Sequence, residues 1–181
     1  MKTALTLSGS IRKGSYNRLL QQHMGKKLAE AGVKVTELDL GDFEMPIFNE
    51  DLEAEHTPDS ARELAELWRS HDIVFIATPE YNGGSAPLMV NTITWLSRQK
   101  PSPFRHAIFG IGGVSSGKYG TIWSLSHLRD SLTKVGALIV PTLLGIGPAS
   151  QAFDEAGNPV ERSVIAKVDQ MVTELTLFSR G

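Results

Sequence analysis

The hydrophobic positions of this chain follow two alternating periods, and the alternation predicts an α/β fold. Short apolar runs of the kind that form buried strands occupy residues 3–7, 33–38, 73–77, 107–111 and 137–140. Apolar positions at helical spacing occupy residues 17–31, 59–70, 86–98, 119–135 and 160–178. Strands and helices in this order are joined by right-handed crossovers. The pattern therefore predicts a doubly wound parallel sheet of five strands with helices on both faces.

Two long segments, residues 41–58 and 143–159, lack either period and are predicted to be irregular. Long loops in a compact α/β domain are commonly binding loops or lids. In an open parallel sheet the ligand lies beyond the carboxyl ends of the strands. The loops after the first, third and fourth predicted strands are therefore the expected site.

The loop after the first strand has the composition of a phosphate site. It leads into a helix, whose first N–H groups and dipole favour an anion. Ser10, Ser15 and Asn17 supply hydrogen-bond donors, and Arg12 adds a planar cation that suits phosphate oxygens. Ser15 stands where a P-loop requires its lysine, and no GxGxxG fingerprint follows any strand. The alternative, a loop that only turns the chain and caps a helix, leaves Arg12 unexplained.

The loop after the third strand has the features of a flat polar platform. Pro79 stiffens its start, while Gly83 and Gly84 permit positive φ and let a planar ligand lie against bare backbone. Taken singly, Tyr81 would be a half-buried aromatic residue and Glu80 a solvated charge. Their position together at the expected ligand edge favours a binding role.

The chain resembles the NAD(P)H-dependent FMN reductase family, which includes bacterial chromate and quinone reductases, in two motifs: Gly9-Ser10-x-Arg12-x-x-Ser15-x-Asn17 and Pro79-Glu80-Tyr81-Asn82-Gly83. The likeness extends in order and spacing over nearly the whole chain, and includes Asn91 and Trp95. It implies a flavodoxin-like fold. It also implies that the FMN-binding residues are Ser10, Arg12, Ser15, Tyr16, Asn17, Pro79, Glu80, Tyr81, Asn82, Gly83, Ser115, Ser116 and Gly117.

The same resemblance implies an activity and an assembly. NADPH or NADH would reduce the bound FMN, which would pass the electrons by a ping-pong mechanism to a small acceptor such as a quinone, free flavin, chromate or an azo compound. Family members are usually homodimers or homotetramers. Val90 and Thr94 stand where the family often has lysine and aspartate, on a helix that commonly lies at the subunit interface.

One motif suggests a different chemistry. Residues 113–117 match the G-x-S-x-G pattern of a hydrolase nucleophile elbow. That class requires an acid and then a histidine later in the chain, but the last histidine is His127, and no Asp or Glu lies between it and Ser115. A hydrolase triad in that order is excluded. The five histidines are dispersed and imply no metal site.

Composition narrows the remaining function classes. A net charge of −2 without clustered Lys or Arg argues against nucleic acid, and no apolar run is long enough to insert in a membrane. The absence of cysteine excludes thiolate and iron–sulfur chemistry, so redox chemistry requires a cofactor. We expect one domain over residues 1–181, located in the cytoplasm because Met1 leads directly into a strand. The alternatives are a flavodoxin-like electron carrier that does not oxidise nicotinamide and, more remotely, a flavin-free binding module.

Overall fold

The computed structural model describes residues 1–180, and a sheet of five parallel strands is its centre. The strands in chain order are β1 (Thr3–Ser8), β2 (Lys34–Leu38), β3 (Ile73–Ala77), β4 (Glu80–Tyr81), β5 (Gly84–Ser85), β6 (Ile108–Val114) and β7 (Leu138–Ile146). The sheet has the order β2-β1-β3-β6-β7, while β4 and β5 form a small antiparallel hairpin. This is the doubly wound order of flavodoxins, in which the chain changes direction between β1 and β3. The predicted five-stranded parallel sheet is confirmed.

Helices cover both faces of the sheet, as predicted. They are α1 (Tyr16–Glu30), α2 (Glu50–Glu55), α3 (Asp59–Arg69), α4 (Pro87–Ser97), α5 (Ile122–Lys134) and α6 (Arg162–Leu177). Apolar residues of α3, α4 and α5 form one buried cluster with the sheet, and those of α1 and α6 form another. Trp68 and Trp95 are fully buried, whereas Trp123 on α5 is 63% exposed.

The last strand is longer than the sequence pattern predicts. We expect the strand to end before Pro141, but β7 continues through that residue to Ile146. Proline is tolerated in β7 because this strand lies at the edge of the sheet and pairs only with β6. The register also shifts between Phe109 and Ile111, which places the irregular pairing opposite the proline. Residues 143–146 are therefore strand rather than loop.

The larger of the remaining differences from the prediction concern the segment 41–58, strand β6 and helix α5. The segment 41–58 contains a short helix, α2, whose N-cap Asn49 accepts a hydrogen bond of 2.7 Å from the Asp51 N–H. Strand β6 continues beyond residue 111 to Val114, so the third loop begins at Ser115. Helix α5 begins at Ile122 rather than at residue 119. None of the helices within residues 1–180 combines the length and the apolar character needed to cross a membrane.

Candidate functional site

A cleft of about 260 Å³ lies where β1, β3 and β6 end. Three loops enclose it, and its lining residues are Ser10, Arg12, Ser15, Tyr16, Asn17, Pro79, Glu80, Tyr81, Val114, Ser115, Ser116 and Ala149. The structure therefore brings together every predicted site residue except Asn82, Gly83 and Gly117. Those three lie in the same loops but not in the cleft wall.

The first loop presents an array of backbone donors at the start of α1. Ser15 is the N-cap, and its hydroxyl oxygen accepts a hydrogen bond of 3.3 Å from the Asn17 N–H. Within residues 1–180, no protein acceptor is found for the N–H groups of Ile11, Arg12, Lys13, Gly14 and Tyr16. Free N–H groups at a helix N-terminus form an anion site. The geometry of this loop thus suits a phosphate.

Arg12 adds a free positive charge beside this array. Its guanidinium donates a hydrogen bond of 3.1 Å to the carbonyl oxygen of Lys13. In the described part of the chain no carboxylate lies within 4 Å of it. The remaining donors of its planar fork are available to an anionic ligand.

Asn17 has a structural task that the sequence does not reveal. Its amide Nδ2 donates to the Val114 carbonyl oxygen over 3.0 Å, and its Oδ1 accepts from the Val114 N–H over 2.9 Å. Asn17 and Val114 are each 3% exposed. The pair joins the first loop to the end of β6, so Asn17 positions two walls of the cleft relative to each other.

The second loop is a tight hairpin rather than an open platform. Its turn residues Asn82 and Gly83 have φ values of 53° and 71°, the left-handed conformation that an Asn-Gly hairpin turn requires. Neither N–H of these two residues finds an acceptor in residues 1–180. The turn holds Tyr81 at the rim of the cleft, where the residue is 52% exposed.

Glu80 is a helix cap rather than a solvated charge. Its Oε2 accepts hydrogen bonds of 3.0 Å from the N–H groups of Trp123 and Ser124, in the first turn of α5. The N-cap residue Thr121 makes no side-chain cap, so Glu80 takes that task from outside the helix. Ser124 in turn donates from Oγ to the Pro79 carbonyl oxygen over 3.0 Å. The second loop is therefore fixed to α5.

The third loop is closed by Ser115. Its hydroxyl donates to the Gly120 carbonyl oxygen over 2.7 Å, and its N–H donates to the Ile146 carbonyl oxygen over 3.1 Å. Its own carbonyl oxygen accepts from the Ala149 N–H over 2.9 Å. All three polar groups of Ser115 thus hold the loop together, and its hydroxyl is engaged with the backbone rather than with a histidine.

Residues from the last irregular segment complete the wall, and the sequence gives no motif for them. Ala149 lines the cleft, and the ring of Phe153 stacks on Tyr16 with centroids 6.3 Å apart and planes inclined by 18°. Tyr16 is 37% exposed. This contact places the segment after β7 against the first loop.

Comparison with known proteins agrees with the predicted family and fold. Residues 2–151 match the family model described as NADPH-dependent FMN reductase. A NAD(P)H-dependent FMN reductase of Pseudomonas aeruginosa is 34% identical over 179 residues, covering 97% of this chain and 94% of the relative. A quinone reductase of Escherichia coli K12 is 30% identical over 177 residues, covering 96% of this chain and 92% of the relative.

Comparison of the backbone with solved structures supports the same fold. The flavoenzyme NAD(P)H:(acceptor) oxidoreductase of Paracoccus denitrificans superimposes with a TM-score of 0.82 at 26% identity, covering 99% of this chain and all (100%) of the other. A flavodoxin of Pseudomonas aeruginosa shares the fold with a TM-score of 0.59 at 16% identity, covering 97% of this chain and 99% of the other.

The fold and the three-loop cleft define a flavodoxin-like flavoprotein of the oxidoreductase class. The chain belongs to the NADPH-dependent FMN reductase family. Its cofactor is FMN, and its co-substrate is a reduced nicotinamide.

The donor set of the cleft fits this cofactor. The unpartnered N–H groups of the first loop and the free guanidinium of Arg12 match a phosphate dianion. The exposed ring of Tyr81 at the cleft rim, with the free N–H groups of Asn82 and Gly83 in the adjoining turn outside the cleft wall, matches a flat heterocycle with a polar edge. FMN carries one group of each kind.

Proposed function

We propose that this protein uses FMN, held in the three-loop cleft, to transfer electrons from NADPH or NADH to a small acceptor by a ping-pong mechanism. The observation that carries the proposal is the joining of an unpaired arginine, a set of free N–H groups and an exposed tyrosine in one cleft at the reversal point of the sheet. FMN, when bound, supplies the centre that accepts and donates the hydride.

Some residues of the cleft would bind FMN, and others would hold the three loops in position. Ser10, Arg12, Ser15 and the N–H groups around them would bind the phosphate. Tyr16, Pro79, Tyr81, Ser116 and the turn of the hairpin would border the ribityl chain and the ring system. Asn17, Glu80, Ser115 and the loop residue Gly117 would set the distances between the three loops. No side chain is required as an acid or base for the hydride transfer itself.

The single cleft supports a ping-pong order. The cleft would leave one face of the bound flavin exposed. Because the nicotinamide and the acceptor would both use that face, the nicotinamide must leave before the acceptor enters. Initial rates should give parallel double-reciprocal plots at several acceptor concentrations, and intersecting plots would contradict the proposal. Acceptors of the quinone, flavin, chromate and azo classes are the ones to compare.

An electron carrier without nicotinamide oxidation is the alternative that the fold itself allows. Absorption spectra recorded without air separate the two. A reductase loses its oxidised flavin bands on addition of NADPH or NADH, whereas a carrier loses them only with dithionite. A protein that binds no FMN at all would reject both and favour a binding module.

We also propose that each chain forms a single domain and that the protein is located in the cytoplasm. We further propose that it assembles as a homodimer or homotetramer. Exposed apolar side chains on and before α4 and α5 support assembly, namely Val90, Tyr119, Ile122 and Trp123, which are 51%, 81%, 56% and 63% exposed. Burial of such a group of side chains stabilises association. Sedimentation velocity of the wild type and of Trp123→Ser tests the assembly, and cell fractionation tests the location.

A further inference from the structure

A second cavity, which we call the 43–46 groove, opens beside the first loop. It has a volume of about 510 Å³, in the range of small-molecule sites. Its apolar lining includes Ile11, Phe43, Met45, Pro46 and Leu88. The sequence reveals no motif here, because the groove is formed by the segment 41–58 and α4.

The wall of this groove is fixed in place by α4. Asn91 accepts a hydrogen bond of 2.9 Å from the Phe48 N–H and donates one of 3.0 Å to the Pro46 carbonyl oxygen. Trp95 Nε1 donates to the same carbonyl oxygen over 2.8 Å. The ring of Phe48 packs edge-on against Trp95 with centroids 5.0 Å apart. These contacts hold the segment as a preformed surface rather than a loose loop, which lowers the entropic cost of binding.

The 43–46 groove is continuous with the three-loop cleft. Between them lies a depression of about 290 Å³, which shares Ser10, Arg12 and Tyr81 with the cleft. The same depression shares Ile11 and Leu88 with the groove. A ligand whose head lies against Tyr81 can therefore extend along this path and place a substituent in the groove.

The charge of the groove selects among ligands. Glu44 is the one charged residue in its lining, and the side chain is exposed to solvent. A carboxylate beside an apolar surface repels anionic groups, such as a chromate ion or a ligand phosphate, and leaves neutral apolar groups unaffected. Arg12 is in the cleft and the depression but not in the groove lining.

We infer that the 43–46 groove binds the apolar side chain of a neutral quinone acceptor whose ring is reduced in the three-loop cleft. This inference rests on the proposed function and adds a separate subsite for the apolar side chain of the acceptor. The reaction balances as quinone, reduced nicotinamide and one proton giving hydroquinone and oxidised nicotinamide. The quinone gains two electrons, and its two oxygens become hydroxyl groups.

A homologous series of quinones tests the groove. The holoenzyme is assayed with 1,4-benzoquinones that carry n-alkyl chains of increasing length, and with ferricyanide as an anionic acceptor without a chain. Full burial of one CH₂ corresponds to about a fourfold gain in binding, and an open groove should give about twofold per CH₂ in kcat/KM. The gain should stop once the chain exceeds the groove. A kcat/KM independent of chain length overturns the inference.

A matched pair of variants tests whether the dependence of kcat/KM on chain length arises in the groove. Met45→Gln places a polar group of similar shape in the groove, whereas Leu67→Gln makes the same kind of change at a half-buried α3 residue packed on the same core cluster. Met45→Gln should reduce the ratio of kcat/KM for a long-chain to a chainless quinone by about tenfold. Leu67→Gln should leave that ratio as in the wild type even where it lowers stability. Equal ratios in the two variants contradict the assignment.

Charge reversal provides a second test. Glu44→Lys should raise kcat/KM for a sulfonated quinone several-fold, while Glu55→Lys on α2, outside the groove lining, should not.

Binding of a redox-inactive alkylphenol, measured by calorimetry, should weaken in Met45→Gln. If chain length has no effect and Met45→Gln instead changes the sedimentation coefficient, the groove is an interface between copies of the chain and the inference is wrong.

The failure of this inference is distinct from failure of the proposed function. Flavin bands that bleach with reduced nicotinamide, together with reduction of ferricyanide, support the reductase whatever the chain-length result. Loss of bleaching rejects the proposed function, while the calorimetric titration still reports whether the groove binds an apolar chain.

Discussion

The side chain of Asn17 and the backbone of Val114 exchange two hydrogen bonds, of 3.0 and 2.9 Å, across 97 residues of sequence. The pair joins the beginning of α1 to the end of β6, in a place that is nearly closed to water. The first loop and the third loop are therefore parts of one rigid unit. Binding at one of them depends on the geometry of the other.

Substitution of Asn17 should lower both the free energy of unfolding and the affinity for FMN. Asn17→Ala leaves the buried N–H and carbonyl of Val114 without partners, and each loss costs about 1–3 kcal/mol. We expect the free energy of unfolding, measured by urea denaturation of the apoprotein, to fall by about 2–6 kcal/mol. Asn17→Asp keeps the acceptor for the Val114 N–H and loses the donor, so it should fall between wild type and alanine. A change below about 0.5 kcal/mol in Asn17→Ala would show that the pair does not couple the loops.

Glu80 should stabilise α5 mainly as a hydrogen-bond acceptor. In Glu80→Ala, the N–H groups of Trp123 and Ser124 lose their cap, at a cost of about 1 kcal/mol. Glu80→Gln still offers an oxygen to both N–H groups and loses only the interaction with the helix dipole, about 0.3–1 kcal/mol. Thermal unfolding of the apoprotein should rank wild type, Gln and Ala in that order. FMN affinity should follow the same order, because the hairpin that carries Tyr81 is anchored through this cap; an FMN affinity that ignores the ranking contradicts the anchoring role.

Arg12 should matter for FMN and not for folding. Its guanidinium has no ion pair within residues 1–180, so its removal breaks no internal interaction of that kind. A hydrogen bond to a charged group contributes about 1.5–3 kcal/mol, so Arg12→Ala should raise the FMN dissociation constant about 10- to 100-fold. Arg12→Lys keeps the charge without the planar fork and should lose less. Fluorescence titration of the apoprotein with FMN gives these constants, and riboflavin, which lacks the phosphate, serves as the control ligand because its affinity should not depend on Arg12.

His23 should make stability depend on pH. Burial, followed by the nearby charges of Lys27 and Lys26, lowers the pKa of His23 below its ordinary value of 6.5. The unfolded chain therefore binds the proton more readily than the folded one. The stabilisation is complete above pH 6.5 and is lost as the pH falls through the lowered folded pKa. His23→Gln should flatten this part of the profile, measured as the urea midpoint between pH 8 and 5, and an unchanged slope would show that other groups cause it.

Much of the fold was predictable because it depends on local patterns. Five apolar strand segments alternate with amphipathic helices, and that order leaves few ways to form a sheet. The end of β7 was not predictable, because Pro141 ends a central strand but is tolerated in an edge strand, and only the assembled sheet decides which applies.

The loops that form the candidate cleft were predictable from the sequence, but the contacts that their side chains make were not. The two motifs identify the loops, since turn glycines, a cap serine and an arginine have local reasons to occur there. The partners of Asn17 and Glu80 lie 97 and 43–44 residues away, so no local pattern reveals that these side chains bond to the backbone of Val114 and of α5. The 43–46 groove depends on contacts of the same long range, from Pro46 to α4.

Gly113 should be intolerant of any side chain. A Cβ atom at this residue of β6 would lie 2.2 Å from the carbonyl oxygen of Thr78 and 2.4 Å from Oγ1 of Thr121. Gly113→Ala should therefore push the second and third loops apart, lowering the free energy of unfolding by about 1–3 kcal/mol and weakening FMN binding. Gly117→Ala is the matched control, because its nearest neighbour would be Ser115 Oγ at 3.9 Å. Differential scanning calorimetry of the two apoproteins should give a lower midpoint for Gly113→Ala alone; equal midpoints would mean that β3 and β6 can separate at their carboxyl ends without cost.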